Sequence, residues 1–321
     1  MGSFRGMYMK ETVISIVGPT AVGKSLLGIE MAKRFNGEVI SGDSTQVYTG
    51  MDIGTAKVTK EEMDGITHHM IDIISPDESF SVADFQLHAK KCIDDVLRRD
   101  KLPILVGGSG LYIQAVLYNY NFSEQRRDES FTKRMEEMIK LEGPDQLYKK
   151  LKEVDPVQAA KVHPNNHRRL IRALEVYETT GMTMTEYQQQ QQLESPYNPI
   201  IIGLDMDRDV LYDRINQRVN HMIDTGLIEE VKNLIDRGYE DCQSMHAIGY
   251  KEIIQHISGN QPIEYAIDDL KQNSRKYAKR QLTWFRNKMN VQWYKMEPML
   301  IEEKIEFILK DLAGILEEKS N

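Results

Sequence analysis

The octapeptide Gly18-Pro-Thr-Ala-Val-Gly-Lys-Ser25 fits the pattern G-x-x-x-x-G-K-[ST]. It follows the apolar, β-branched run TVISIV and precedes SLLGIEMAKRF, where Leu26, Leu27, Met31 and Ala32 carry helical spacing. Strand, glycine loop and helix is the setting in which this pattern grips phosphates. Gly18, Pro19, Thr20, Ala21, Val22 and Gly23 bend the backbone so that N–H groups face an anion at a helix N-terminus. Lys24 adds a point charge for the terminal phosphates, and the Ser25 hydroxyl is a ligand for Mg²⁺.

Three further stretches carry chemistry. In SGDSTQVY, Asp43 ends a short apolar strand and stands where open α/β sheets bind ligands. A carboxylate there binds Mg²⁺ or accepts a proton, or else simply caps the following turn. In VGGSGLY, Ser109 sits among glycines at another strand end, which fits backbone contact with a ligand or a plain tight turn. In HPNNHRRLIRALEVYETTG, Arg168, Arg169 and Arg172 share a helix whose buried side is read as Leu170, Leu174 and Tyr177. No acid occurs from Lys161 to Arg172, so the arginines read either as contacts for a phosphate backbone or as a solvated helix face.

Basic residues cluster again between Lys271 and Lys288, with seven Lys or Arg and no acid. Tyr277, Trp284 and Phe285 interleave there, either to stack on bases or to form the core face of a basic helix. Arg214 and Arg218 lie four apart on an amphipathic helix read as 213–231. A strand ending in a metal-binding Asp has only weak candidates, Asp205 in IIIGLD and then HMIDI. His68, His69, His163 and His167 lack partners at metal-ligand spacing.

The elements that must hold these residues read as α/β from 1–120 and 198–321, with a helical, strand-poor insertion over 121–197. The core is expected to be a parallel sheet of the P-loop NTPase-like class. The helix in SVADFQLHAKKCIDDVLRR is expected to bury Phe85, His88 or Ala89, Cys92 and Val96. Pro144 and Pro156 each open a helix, and the glutamine run 188–192 reads as a solvated end or linker. In 321 residues, 28% charged and with net charge −8, acidity argues against bulk nucleic-acid binding but leaves local basic patches free to act. No apolar run suits a membrane helix, MGSFRGMYMKE has no signal-like apolar region, and Cys92 and Cys242 read as free cytosolic thiols.

Together these motifs resemble one family, the bacterial tRNA dimethylallyltransferases. GPTAVGKS, GDSTQVY with MDIGTAK, HHMIDI, ADFQ, VGGSGLYIQA, NHRRLIRALEVYETTG, GLIEEV, HAIGYKE and YAKRQLTWFR look like the family's blocks in the family's order, over roughly 13–290. The resemblance implies a prenyl transfer from dimethylallyl diphosphate to N6 of adenosine 37, in tRNAs that read codons beginning with U. By that resemblance Asp43 is the general base, and Thr20, Lys24, Ser25 and Arg218 surround the diphosphate, although the family is often described as ATP-binding. Ser109, Arg134, the segment Asp43, Ser44, Thr45 and Gln46, and Arg168, Arg169 and Arg172 would contact the anticodon stem-loop. Two departures stand out: Arg168 replaces the family's usual Gln, and Ser109 replaces its usual Thr. The expectation is a cytoplasmic, Mg²⁺-using monomer. The alternatives are a P-loop small-molecule kinase or hydrolase, an adenylate prenyltransferase, and a non-catalytic RNA-binding protein.

Overall fold

A computed structural model describes residues 10–118, 120, 128–190 and 194–320. The chain divides into a unit of Met1–Leu117 with Ser195–Asn321 and a unit of Tyr118–Glu194. Gln191 and Gln192 of the glutamine run lie outside the described residues.

The first unit is built on six strands: β1 (Thr12–Val17), β2 (Gly37–Ser41), β3 (His68–His69), β4 (Leu102–Gly107), β5 (Asn198–Asp205) and β6 (Gln292–Lys295). Their order is β3-β2-β4-β1-β5-β6, and every pair is parallel. Ile14 pairs with Ile104 on one side of β1 and with Ile200 on the other, so β1 lies at the sheet's centre. β1, β4 and most of β5 are nearly continuous buried apolar runs, as inner parallel strands are, whereas the edge strands β3 (HH) and β6 (QWYK) are polar and only partly buried. Leu27, Met31 and Ala32 of the helix Lys24–Arg34 join Ile305, Ile308 and Leu312 of the helix Ile301–Ser320 in one core cluster. Leu26, read as part of that apolar face, is 42% exposed instead; Ile29 takes the buried place. In the helix Val82–Arg98 the buried residues are Phe85, Ala89, Ile93 and Val96, and Cys92 is only half-buried.

The parallel sheet sends the loops after β1, β2, β4 and β5 to a single rim. Asp43 is not a strand residue as read: β2 ends at Ser41, and Asp43 stands two residues beyond it. The opposite end of β2 carries Glu38, which is 1% exposed. Arg99 donates to both Glu38 oxygens, Lys101 Nζ donates to Oε1 at 2.9 Å, and His69 Nε2 lies 2.7 Å from Oε2. His69 is therefore one of the side chains gathered around the buried Glu38 carboxylate. These partners, Arg99 foremost, hold the Glu38 carboxyl far below the usual carboxylate range, against the effect of burial. A depressed carboxyl stabilises the fold above its unfolded value of 4.5 and loses that contribution as pH falls through the folded value. Glu38→Gln is expected to cost about 1.5–3 kcal/mol in urea denaturation near neutral pH. The gap to wild type narrows as pH falls below 4.5.

The second unit is helical, with helices Glu129–Glu142, Asp145–Val154, Pro156–Ala159, His167–Thr180 and Met184–Gln189. Phe131, Met135, Leu147, Leu151, Leu170 and Leu174 form its core. Pro156 occupies the first turn of its helix, and Pro144 is the residue just before the helix Asp145–Val154. Tyr177 is 37% exposed, so the buried side of the arginine helix is Leu170, Ile171, Ala173, Leu174, Glu175 and Val176.

Candidate active site

The loop after β1 closes on Gly23, whose φ of 104° suits glycine, and the helix begins at Lys24. Ala21 is also left-handed, at φ 66°, a conformation that costs a non-glycine residue about 1–2 kcal/mol. Two arginines from the helix Arg208–Asp224 hold this bend. Arg214 Nε donates to the Ala21 carbonyl at 2.9 Å, and Arg218 Nη1 donates to Thr20 Oγ1 at 3.0 Å. Their spacing of four puts both on one helix face, aimed at the same loop. The single helix read over 213–231 is two: a turn at Thr225–Gly226 separates Arg208–Asp224 from Leu227–Asp236, with Gly226 at φ 106°.

Lys24 Nζ donates to the Pro19 carbonyl at 2.6 Å. Burial and the neighbouring Arg218 guanidinium lower its pKa to about 7, against the pull of Asp43. Burial also depresses Arg218, again opposed by Asp43. Two cations and one carboxylate thus sense one another across a single space. Val22 is fully buried in the core, and Pro19 and Gly18 are buried too.

Asp43 Oδ1 accepts from Thr45 N at 2.8 Å and from Thr45 Oγ1 at 2.6 Å. That is a local turn in which the following residues fix the carboxylate. Gln46 Oε1 accepts from Ser41 Oγ at 2.8 Å, and its Nε2 donates to the carbonyls of Thr55 and Ala56. Ser109 is 8% exposed; its Oγ accepts from Ser44 N at 3.1 Å and lies 3.3 Å from Ser44 Oγ.

Thr20, Ala21, Gly23, Lys24 and Ser25 line a cavity of about 750 Å³ together with Asp43, Gln46 and Arg218. All its walls belong to the first unit. One wall is the segment Asp52–Lys57, within the MDIGTAK motif, for which the sequence alone indicates no role. The Glu230 carboxylate accepts from three successive amides there, Asp52 N at 3.0 Å, Ile53 N at 2.8 Å and Gly54 N at 3.1 Å. The buried Tyr250 hydroxyl donates to the same carboxylate at 2.5 Å. Thus the GLIEEV and HAIGYKE motifs hold the MDIGTAK wall. Lys57, with its side chain 6% exposed, pairs with Asp52 and Asp72, each at 2.6 Å.

The remaining sequence readings resolve individually. Asp205 accepts from Arg286 and from Met206 N at 2.8 Å, so it is engaged in the fold and is not among the cavity walls. Asp72 of HMIDI is committed to Lys57. The aromatic run forms no stacking row: Phe285 is in the core, Trp284 lies against Gly110, and only Tyr277 lines the cavity. Burial and the charge of Asp43 push the Tyr277 phenol up to about 12, so it stays protonated.

Within the helical unit, Arg168 and Arg169 are exposed on the first turn of His167–Thr180. Arg134 is exposed over the Phe131 ring, 5.4 Å from its centroid. Arg172 differs from the other two arginines of its helix. Its Nη1 donates at 2.8 Å to Glu175, a carboxylate 2% exposed that also accepts from Asp128 N at 2.8 Å. The acid-free stretch ends just before this partner.

Comparison with known proteins agrees in every direction. A model of the family described as IPP transferase matches residues 46–288. A tRNA dimethylallyltransferase of Oceanobacillus iheyensis is 92% identical over 98% of this chain and 100% of its own length. One from Halalkalibacterium halodurans is 56% identical over 97% of this chain and 100% of its own length. The crystal structure of a full-length tRNA isopentenylpyrophosphate transferase from Bacillus halodurans superposes with a TM-score of 0.74 at 55% identity, covering 97% of this chain and 98% of that one. A eukaryotic dimethylallyltransferase acting on tRNA gives a TM-score of 0.73 at 30% identity, over 88% and 74% of the two chains. The chain belongs to the IPP transferase family, that of the tRNA dimethylallyltransferases.

Proposed function

We propose that this protein transfers a dimethylallyl group from dimethylallyl diphosphate to N6 of adenosine 37 in tRNAs that read codons beginning with U. One observation carries the reading: a phosphate loop with two cations and an anchored carboxylate share the walls of a single cavity. The loop and cations suit an allylic diphosphate, and the carboxylate suits a weakly basic amine that must lose a proton.

In the reaction the N6–C1 bond forms as the C1–O bond breaks, and diphosphate leaves with both electrons of that bond. Lys24 and Arg218 stabilise the charge that grows on the departing phosphates. Thr20, tied to Arg218 through its hydroxyl, keeps that guanidinium at the loop. The exocyclic amine of adenine is a poor nucleophile, since its lone pair is delocalised into the ring. Asp43 takes the N6 proton as the new bond forms. Thr45 occupies Oδ1, and Oδ2 serves as the acceptor.

Ser25, second residue of the helix Lys24–Arg34, is the protein donor that would hold Mg²⁺. Among the described residues no group of three or more His, Cys, Asp or Glu could hold a metal. The donor set therefore fits an ion carried largely by the diphosphate and water, as is usual for Mg²⁺. When bound, it would neutralise charge on the leaving group.

The acceptor is a tRNA anticodon stem-loop. Arg168 and Arg169 stand in the first turn of their helix, where the dipole already disfavours cations. An incoming phosphate relieves that repulsion, which supports Arg168 and Arg169 as backbone contacts. Arg134, Ser109, Arg172 and the segment Asp43 to Gln46 complete the proposed tRNA contacts, with Arg172 also holding Glu175. A base that reacts inside this cavity must leave its stack. Among the described residues no helix is long and apolar enough to cross a membrane. A cytoplasmic monomer fits this reading.

The acceptor is tested by offering dimethylallyl diphosphate with an anticodon stem-loop, with AMP, or with no acceptor. Transfer to the stem-loop and not to AMP is expected. Transfer to AMP alone, or turnover of ATP with a small acceptor, contradicts the reading.

A further inference from the structure

Gln281 is 5% exposed on the helix Ile263–Lys288, yet both ends of its amide are engaged with backbone. Its Oε1 accepts from Thr20 N at 3.0 Å, and its Nε2 donates to the Gly108 carbonyl at 3.1 Å. Thr20 belongs to the loop after β1, and Gly108 follows β4. Gly108 leads directly to Ser109, whose hydroxyl accepts from Ser44 N, next to Asp43 in the loop after β2. Strands β1 and β2 are not neighbours; β4 lies between them. One amide therefore bridges the phosphate loop to the loop that supports the carboxylate.

The glycines of VGGSG show how close this approach is. A Cβ on Gly108 would sit 2.0 Å from Gln281 Nε2, and one on Gly110 would sit 2.2 Å from Trp284 Cδ1. Real Cβ contacts do not reach such distances, so a side chain at Gly108 would push the Gln281 amide out of its bridge, and one at Gly110 would displace the Trp284 ring. Tyr277 lies one turn before Gln281 on the same helix face and reaches the cavity wall. The helix thus applies Tyr277, Gln281 and Trp284 along the loop that follows β4.

We infer that Gln281 is a positioning residue for prenyl transfer: its amide fixes the separation between the diphosphate loop and Asp43. The inference rests on the transfer reaction proposed above. An amide suits the task because it offers an acceptor and a donor from one planar group. An ionised carboxylate accepts from Thr20 but faces the Gly108 carbonyl with no proton to give. A neutral carboxylic acid restores the donor. A misplacement of about 1 Å between reacting groups costs on the order of 10²-fold in rate, so a loosened bridge is expected to act on kcat.

The test compares wild type, Gln281→Glu and Gln281→Asn as full-length proteins, with dimethylallyl diphosphate and an anticodon stem-loop. Expected is a fall in kcat of about 10–100-fold for Gln281→Glu at pH near 8, with stem-loop affinity little changed. The ratio of its kcat to wild type is expected to rise as pH is lowered towards about 6, because burial and the Asp43 carboxylate in the same cavity raise the introduced carboxyl, against the opposing pull of Lys24, Arg218, Arg280 and the Tyr277 hydroxyl. Gln281→Asn keeps both amide functions but is one methylene too short to reach both loops. It is expected to lose kcat with no change in that ratio across pH. If Gln281→Glu does not fold, a folded Gln281→Asn with wild-type kcat overturns the inference and one with reduced kcat supports it. A pH-independent ratio for folded Gln281→Glu, or kcat at the wild-type level, overturns the inference while wild-type activity stands. A wild type inactive on the stem-loop overturns the transfer reading and this inference with it.

Discussion

Asp43→Asn is expected to slow dimethylallyl transfer by about 10²–10⁴-fold while leaving tRNA binding almost unchanged. The substitution is nearly isosteric. The amide oxygen still accepts from Thr45 N and Oγ1, so the turn that anchors the side chain survives. The amide cannot accept the N6 proton in place of Oδ2. The loss therefore falls on the chemical step, which single-turnover measurements resolve. A variant that transfers at the wild-type rate shows that Asp43 is only a turn-forming residue, the simplest of the readings its sequence position allows.

Lys24→Met is expected to reduce transfer by about 10²–10³-fold, the scale seen when one preorganised group facing developing charge is removed. The same substitution is expected to raise the melting temperature of the free protein. Lys24 has a folded pKa of about 7 against an ordinary 10.5. Between those values the unfolded chain binds the proton more tightly, so the free fold gains stability as pH rises from about 7 towards 10.5. The full penalty of the buried cation applies below about 7. Removing it stabilises the fold where it disables the site, a common relation at functional positions. Diphosphate supplies the missing counter-charge and raises the Lys24 pKa again. Titration calorimetry at pH about 8, in buffers of differing ionisation enthalpy, should show proton uptake on binding that shrinks at pH about 6. Lys24→Met should remove the pH dependence of that uptake. Identical uptake by wild type and variant contradicts the electrostatic account of Lys24.

What the sequence made legible was whatever is encoded locally. The phosphate loop carries its glycines, its lysine and its flanking strand and helix within about twenty residues, and all of them stand where the pattern requires. Asp43 is legible as a residue of the phosphate loop's rim because a parallel sheet sends all its strand ends one way. Their spacing makes Arg214 and Arg218 neighbours on one helix face, but nothing local says that they reach back to Thr20 and Ala21. Those partners lie 193 and 198 residues away. The same distance in sequence hid Glu230, whose three amide partners lie in the Asp52–Gly54 segment, and Gln281, which is 261 residues from Thr20.

Other differences arose from competing local signals. The basic, aromatic run ending at Lys288 allowed both a stacking surface and a core face. The structure divides it, with Phe285 buried in the core and Tyr277 at the cavity. Arg172 looked unpaired because its acid, Glu175, follows it by one turn and is buried on the apolar side of the helix. The long helix ending in GLIEEV contained its own stop signal in Thr225-Gly226, which the apolar periodicity on either side concealed.

The measurement that bears most directly on the central claim is mass spectrometry of nucleosides from tRNA incubated with this protein, Mg²⁺ and dimethylallyl diphosphate. The account predicts that adenosine 37 of tRNAs reading U-initial codons gains one dimethylallyl group on N6, with release of diphosphate. Unmodified tRNA, from a folded protein that instead consumes ATP with a small acceptor, would contradict it.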